Sequence, residues 1–169
     1  MCGIAGYFGN CTISEDRVHA CLGLMGQRGP DQVDSRHFIN SAGRNTYLLF
    51  SRLAIIDLDK RANQPFPAEN KWIVFNGELY NYLEHRAAMS AMNISFTTES
   101  DVEVMIKAIH HKGLGVLDRC EGMWAFALYD EKNGSLTLSR DRFGEKPLYL
   151  YQDSDGIYFG SEVKFIVAL

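Results

Sequence analysis

The sequence predicts a single antiparallel α+β domain. Strand-like segments are grouped toward the two ends of the chain, helix-like segments lie mainly between them, and the last strands are joined by short hairpin turns. Short connections are typical of antiparallel sheets, because parallel strands need a crossover of a dozen or more residues. The 169 residues, 46% of them hydrophobic, suffice for one full-sized core.

The first part of the chain predicts three strands and one helix. Residues 1–9 (MCGIAGYFG) carry a glycine at every third position from residue 3, which indicates a buried strand approached closely by other backbone. Apolar residues at helical spacing predict a helix over residues 16–25, which ends in the loop 26–31 (GQRGPD). Residues 46–50 and 72–75 are rich in aromatic and β-branched side chains and predict two further strands.

Two helices are predicted in the middle of the chain. An apolar stripe predicts a helix over residues 78–92, directly after the Asn76-Gly77 pair. The next helix begins at Ser100, which forms a capping-box pattern with Glu103, and it ends at Gly113.

Two hairpins are predicted in the last third of the chain. Residues 123–130 and 135–139 pair through a turn that contains Asn133-Gly134, and residues 148–151 pair with residues 157–160. The final segment, VKFIVAL, is apolar and carries no helix-terminating signal. We therefore expect this domain to be cut from a longer chain.

Composition argues against several classes of partner. The net charge of −4 shows no basic excess, so neither nucleic acid nor an anionic membrane is expected to bind. No apolar run approaches the roughly 20 residues of a spanning helix, and no signal peptide is recognisable, so a cytoplasmic location is expected. The cysteines lack metal-ligand spacing; those at positions 11, 21 and 120 are interpreted as reduced, small hydrophobic residues.

Cys2 is chemically special because of its position. Removal of Met1 would leave a free α-amino group on the residue that carries the thiol. The unperturbed pKa values of the two groups are about 8 and about 8.5, so a proton can pass between them with little cost near neutral pH. The sequence therefore offers a nucleophile that carries its own general base and needs no histidine.

Eight segments together carry a resemblance to a known family. In chain order they are CGIAGYFG, RGPD, SRLAIIDL, NQPF, FNGELYNY, ESDVEV, GMWAFALYD and RDRFGEKPLY. The chain resembles the class II glutamine amidotransferase domain of glutamine-dependent asparagine synthetases from Cys2 to about Lys164. The resemblance implies an N-terminal-nucleophile hydrolase fold, a four-layer αββα sandwich with two antiparallel sheets.

The resemblance assigns the catalytic residues. It makes Cys2 the nucleophile, and it makes the Asn76 side-chain amide and the Gly77 backbone N–H the oxyanion hole. The alternative for the pair is an ordinary turn, because Asn-Gly is a common turn dipeptide.

The resemblance also assigns the glutamine pocket. Arg52 would grip the α-carboxylate, although a structural ion pair with a carboxylate such as Asp57 is an alternative. Asp101 would accept the α-ammonium group, its carboxylate kept ionised by the helix dipole and by free backbone N–H groups; an ordinary preference for aspartate at helix starts is the alternative. The remaining pocket residues implied by the resemblance are Leu53, Ala54, Ile55, Ile56, Glu78 and, again, Asn76 and Gly77.

Other motif residues are interpreted as architectural. Arg28, Pro30 and Asp31 would shape the loop beside the pocket, and the 140–142 segment, Arg-Asp-Arg, would form a charged network that holds the second hairpin. The five histidines are expected on the surface or on helix faces. Gln27 stands where the family usually has a histidine, and this departure is expected to affect loop packing more than chemistry.

The resemblance implies hydrolysis of L-glutamine to glutamate and ammonia through a Cys2 thioester, with no metal or organic cofactor in this domain. ATP and Mg²⁺ are expected only in a C-terminal ATP-dependent synthetase domain or subunit, which would receive the ammonia. A homodimer is compatible with the resemblance. The alternatives are an amidotransferase for another acceptor, such as a sugar, a peptide or a secondary metabolite, and a catalytically silent regulatory domain of the same fold.

Overall fold

The computed structural model describes residues 1–169 and contains nine strands and four helices. The strands are β1 Gly3–Gly9, β2 Gln32–Ile39, β3 Asn45–Arg52, β4 Phe66–Ala68, β5 Lys71–Leu79, β6 Gly122–Asp130, β7 Ser135–Arg140, β8 Tyr149–Gln152 and β9 Gly156–Gly160. The helices are α1 Glu15–Met25, α2 Tyr82–Ser90, α3 Asp101–Lys112 and α4 Val163–Ala168, and two 3₁₀ turns span Lys60–Ala62 and Leu114–Arg119. None of the helices is long and apolar enough to cross a membrane.

The strands form two antiparallel sheets. One sheet has the order β2-β3-β1-β9-β8, and the other has the order β4-β5-β6-β7. The first strand of the chain is therefore the central strand of the larger sheet, with β3 on one side and β9 on the other. This position fixes the N-terminus, which in most domains frays.

The two sheets pack face to face, and helices cover both outer faces. The buried layer between the sheets contains Ile4, Phe50, Val74, Ala127 and Phe159, among others. A second apolar cluster joins the larger sheet to α1 and α4, and a third joins the smaller sheet to α2 and α3. The order of layers is thus helix, sheet, sheet, helix, and the predicted αββα sandwich is confirmed.

The helix predicted at residues 78–92 is wrong at its start. Strand β5 continues through Asn76-Gly77 to Leu79, because β6 pairs with it along its whole length, down to Leu79 opposite Gly122. Helix α2 begins only at Tyr82. The Asn-Gly pair is therefore part of a strand and not a turn.

The capping box predicted for α3 is half correct. The Ser100 side chain accepts from the Val102 N–H at 3.1 Å, as an N-cap should. Glu103 does not reach back to Ser100; its carboxylate accepts from the backbone and hydroxyl groups of Thr97 and Thr98, and from Lys107. These bonds fix the loop that precedes α3, and they lower the pKa of Glu103 to about 2 despite its burial.

Strands β2 and β4 were not predicted. β2 is an edge strand whose residues are mostly polar and half-exposed, so its sequence (QVDSRHFI) shows no clear apolar period. β4 has only three residues. The other predicted strands and helices are confirmed, including both hairpins and the end of α3 at Gly113, which has a φ of 73°.

Candidate active site

A cavity of about 250 Å³ lies at the N-terminus, where β1 and β3 meet β5 and the start of α3. Nine of the ten residues predicted from the sequence line or bound this cavity. They are Cys2, Arg52, Leu53, Ile55, Ile56, Asn76, Gly77, Glu78 and Asp101. Ala54 does not line it; the Ala54 N–H instead bonds to the Asp31 carboxylate at 2.7 Å, which ties the pocket wall to the predicted architectural loop.

The Cys2 thiol lies against the backbone of the residue that follows β3. The Leu53 N–H donates to Cys2 Sγ at 3.4 Å, and the thiol donates to the Leu53 carbonyl at 3.6 Å. Burial raises the pKa of the Cys2 thiol, and the Leu53 N–H and the positive charge of Arg52 lower it by smaller amounts. The neutral thiol is therefore favoured at rest, so a base must remove its proton before it can attack.

Met1 occupies the mouth of the cavity. Its α-ammonium group donates to the Arg28 carbonyl at 3.0 Å, and its thioether lies 3.4 Å from the Lys146 ammonium group. With Met1 attached, the Cys2 nitrogen is an amide and cannot act as a base. Arg28 also donates to the Cys2 carbonyl at 2.9 Å and pairs with Glu162 at 2.8 Å, so the predicted structural role of this loop agrees with its contacts.

Arg52 is a buried cation without a carboxylate partner. Its side chain donates to Asn63 Oδ1 at 2.7 Å, to the Asp59 carbonyl at 3.2 Å, and to the carbonyls of Ile56 and Asp57. The alternative of an ion pair with the Asp57 carboxylate is wrong, because only the backbone carbonyl of Asp57 meets the guanidinium group. Neutral acceptors thus hold the group in place and leave its charge available.

Asp101 is a buried anion in the same cavity, and it forms no salt bridge. One carboxylate oxygen accepts from the Leu79 N–H at 3.0 Å, and only 5% of the residue is exposed. The pKa of Asp101 is raised to about 6, mainly by burial and to a smaller extent by the neighbouring Glu78, while the Leu79 N–H lowers it. The backbone N–H groups at the helix start do lower this pKa, as expected, but desolvation outweighs them and the pKa lies above its usual value.

Asn76 and Gly77 are residues of strand β5 that line the cavity. The Asn76 amide nitrogen lies 3.5 Å from Ser161 Oγ, and that hydroxyl also accepts from the Ile4 N–H at 3.0 Å. Ser161 therefore joins the start of β1 to the amide beside it. Gly77 has no space for a side chain, because an added Cβ would lie 2.2 Å from the Met123 carbonyl and 2.7 Å from Trp124 Cα.

Gln64 is a cavity residue that the sequence analysis missed. Its buried side chain accepts from the Phe75 N–H at 2.6 Å and donates to the Phe75 carbonyl at 3.4 Å, so one amide pairs both ways with the backbone just before Asn76. Gln32 grips the Gln64 backbone in the same manner. The NQPF motif contains this residue, but only the folded structure shows what it pairs with.

The Arg-Asp-Arg segment differs from its predicted charged network. Asp141 accepts from the backbone N–H groups of Trp124, Phe143, Glu145 and Lys146, and these bonds hold the pKa of its carboxyl below the usual range although burial opposes them. Arg140 donates to carbonyls of the same loop. The segment is architectural, as expected, but it is held by backbone groups and not by ion pairs.

The comparisons with known proteins agree with this geometry. The sequence profile of the family described as "Glutamine amidotransferase domain" matches residues 1–169. The chain belongs to this family. The cavity around Cys2 thus lies in a glutamine amidotransferase domain. The cavity is lined by nine of the residues that the family resemblance assigned to the site.

The curated relatives of this glutamine amidotransferase domain are longer proteins. It is 37% identical to "Putative asparagine synthetase [glutamine-hydrolyzing] 2" of Methanocaldococcus jannaschii, across 100% of this chain and 35% of the relative. It is 33% identical to "Asparagine synthetase [glutamine-hydrolyzing] 1" of Bacillus subtilis, across 99% of this chain and 27% of the relative. It is 34% identical to "Amidase chry2" of Gibberella zeae, across 99% of this chain and 26% of the relative. The chain spans about a quarter to a third of the length of these relatives.

A solved structure confirms the fold. Glutamine phosphoribosylpyrophosphate (PRPP) amidotransferase from B. subtilis superposes with a TM-score of 0.71 over 98% of this chain and 43% of that protein, at 17% identity. The predicted N-terminal-nucleophile hydrolase fold is therefore confirmed, and this likeness concerns the fold alone.

Substitution of Gly77 tests the strand through the cavity. We expect Gly77→Ala to lower the free energy of unfolding by roughly 1–3 kcal/mol, because the added Cβ forces β5 away from β6. Gly115→Ala is the matched control, since no atom lies within 4 Å of its added Cβ. Urea denaturation followed by circular dichroism measures both. Equal stability of the two variants would contradict the β5–β6 pairing at Gly77.

Proposed function

We propose that this domain hydrolyses the side-chain amide of L-glutamine to glutamate and ammonia, with Cys2 as the nucleophile. One observation carries the proposal: a buried cation, Arg52, and a buried anion, Asp101, line one cavity beside a thiol, and neither forms a salt bridge. Unpaired buried charges are costly. A zwitterionic α-amino acid would neutralise both charges at once.

The two charges orient the substrate. Arg52 binds the α-carboxylate, and Asp101 binds the α-ammonium group together with the nearby carboxylate of Glu78. The side chain of the amino acid then extends toward Cys2, which lines the same cavity. Glutamine is the amino acid whose terminal carboxamide suits a thiol nucleophile, and the family to which the chain belongs supports that choice.

The reaction proceeds through a thioester. After Met1 is removed, the α-amino group of Cys2 takes the thiol proton, and the thiolate attacks the carboxamide carbon. The Asn76 amide and the Gly77 N–H stabilise the oxyanion. The α-ammonium group returns its proton to the leaving nitrogen, ammonia departs as the C–N bond breaks, and water then cleaves the thioester to give glutamate.

The choice of base follows from the lining of the cavity. No histidine lines it, and the thiol pKa is raised by burial, so the attacking thiolate needs a nearby proton acceptor. The α-amino group freed by loss of Met1 is attached to the nucleophile itself. It is therefore the base that requires no further residue.

The ammonia acceptor lies outside this domain. Two of the three relatives described above are named glutamine-hydrolysing asparagine synthetases, which supports transfer of ammonia to an ATP-dependent synthetase domain of a longer protein. The match to "Amidase chry2", at similar identity and coverage, supports another acceptor as the second candidate. An assay of ammonia transfer to candidate acceptors distinguishes the two.

Replacement of Cys2 tests the proposed function directly. We expect Cys2→Ala to abolish glutamate production in protein from which Met1 has been removed, because Cys2 is the only cysteine that lines the cavity. Cys11→Ala is the matched control, since this partly buried cysteine packs against the α1 side of the larger sheet, and its turnover should equal that of the wild type. Glutamine turnover that persists in Cys2→Ala would overturn the mechanism.

The pH dependence of substrate binding tests Asp101. Its pKa is raised to about 6, so the carboxyl becomes neutral as the pH falls through that value and loses its attraction for an ammonium group. We expect the KM for glutamine to rise roughly tenfold between pH 6.5 and pH 5, as a single ionisation requires. Asp101→Asn should show a high KM with little pH dependence over this range. A wild-type KM that stays constant between these pH values would show that Asp101 does not bind the substrate.

A further inference from the structure

Asp57 occupies the junction between the two charged ends of the cavity. It lies in the loop that follows Arg52, and its side chain is only 5% exposed although it is an aspartate in a surface loop. Its backbone and its carboxylate make contacts in different directions. The contacts of Asp57 connect two parts of the chain that are more than 40 residues apart.

The backbone of Asp57 supports Arg52. Its carbonyl accepts a hydrogen bond from one terminal nitrogen of the guanidinium group, beside the Ile56 carbonyl. Because the other terminal nitrogen is held by Asn63 and the Asp59 carbonyl, both ends of the guanidinium fork are fixed by one short segment. The position of the cation therefore depends on the conformation of the chain at Asp57.

The carboxylate of Asp57 supports the start of α3. One oxygen accepts from the Glu99 N–H at 2.7 Å, two residues before Asp101. Arg61 Nε lies 3.6 Å from this same oxygen, and the other oxygen accepts from the Asp59 N–H at 3.1 Å. Since Glu103 already fixes Thr97 and Thr98 on the helix side, the Asp57 carboxylate ties that anchored loop to the Arg52 loop.

The backbone conformation of Asp57 is unusual for a residue other than glycine. Asp57 has a φ of 51°, in the left-handed region that residues other than glycine rarely adopt. The bonds made by its carbonyl and its carboxylate hold it there. If Asp57 adopted a negative φ, either its carbonyl would move away from Arg52 or its carboxylate would move away from the Glu99 N–H.

We propose that Asp57 is a positioning residue that sets the distance between Arg52 and Asp101, and thereby selects a substrate with an α-carboxylate and an α-ammonium group on one carbon. The inference rests on the proposed function, because it concerns how the same site recognises glutamine. Asp57 touches neither the nucleophile nor the substrate. It acts through the two residues that do.

The first test separates binding from chemistry. Asp57→Gly keeps the carbonyl and the left-handed backbone but removes the tie to Glu99. We expect its KM for glutamine to rise about tenfold while its kcat stays within twofold of the wild type. Glu99→Ala is the matched control: it removes an exposed carboxylate of the same junction, keeps the N–H that Asp57 binds, and should leave both constants unchanged.

The second test asks whether both ends of the substrate are involved. Two competitive inhibitors serve as probes, a glutamine analogue without the α-amino group and one without the α-carboxylate. If Asp57 sets the distance between Arg52 and Asp101, Asp57→Gly should weaken the binding of glutamine strongly. It should change the inhibition constant of each single-ended analogue by less than twofold. If glutamine and the analogue that keeps the carboxylate lost the same factor of binding affinity, Asp57 would support Arg52 alone. That result would contradict the proposal.

Controls for folding and for the proposed function accompany both tests. Asp57→Asn keeps an acceptor and tolerates a positive φ, so it should rescue most of the rise in KM, and circular dichroism with thermal unfolding should show all variants folded. An Asp57→Gly protein that is folded and has an unchanged KM would overturn the inference and leave the glutaminase assignment intact. A wild-type protein that is folded, lacks Met1 and hydrolyses no glutamine would instead overturn the proposed function.

Discussion

The position of Cys2 depends on the pairing of β1 at the centre of the larger sheet. A chain terminus is ordinarily mobile, but Gly3 pairs with Ser51 of β3, and Ser161, directly after β9, bonds to Ile4 on the other side. The ladder leaves Cys2 beside the backbone of Leu53, the residue that follows Arg52. A thiol next to the chain terminus can thus be held in a fixed place, where it lines the cavity together with Arg52 and Asp101.

The second constraint is electrostatic. Arg52 and Asp101 are both buried in one cavity, and the structure separates them instead of letting them pair. Backbone carbonyls around Arg52 and a single N–H beside Asp101 stabilise each charge only in part, which explains why the Asp101 pKa rises to about 6. In the proposed function, a zwitterionic ligand would offset this cost by pairing with both charges. The two unpaired charges therefore lower the stability of the fold, whereas the proposed binding of a zwitterion requires them.

Most of the residues that line the cavity could be predicted from the sequence, whereas several of the contacts that hold them could not. Cys2, Arg52 and Asp101 were singled out because they lie in motifs that resemble the family in chain order. The strand through Asn76-Gly77 was missed because the dipeptide favours a turn locally, whereas pairing with β6, some 50 residues away, decides its conformation. Gln64 and Asp57 were missed as supports because their partners, Phe75 and Glu99, are adjacent only after folding.

Activity before and after exposure of the Cys2 amine tests the central claim most directly. One preparation that retains Met1, or a protease-cleavable segment in front of Cys2, is assayed for glutamate production, then cleaved to expose Cys2 and assayed again, with intact mass confirming each form. The account predicts that turnover rises by roughly 10²–10⁴-fold on cleavage, the usual contribution of a general base. Equal turnover in the two folded forms would contradict it, because an amide nitrogen cannot take the thiol proton.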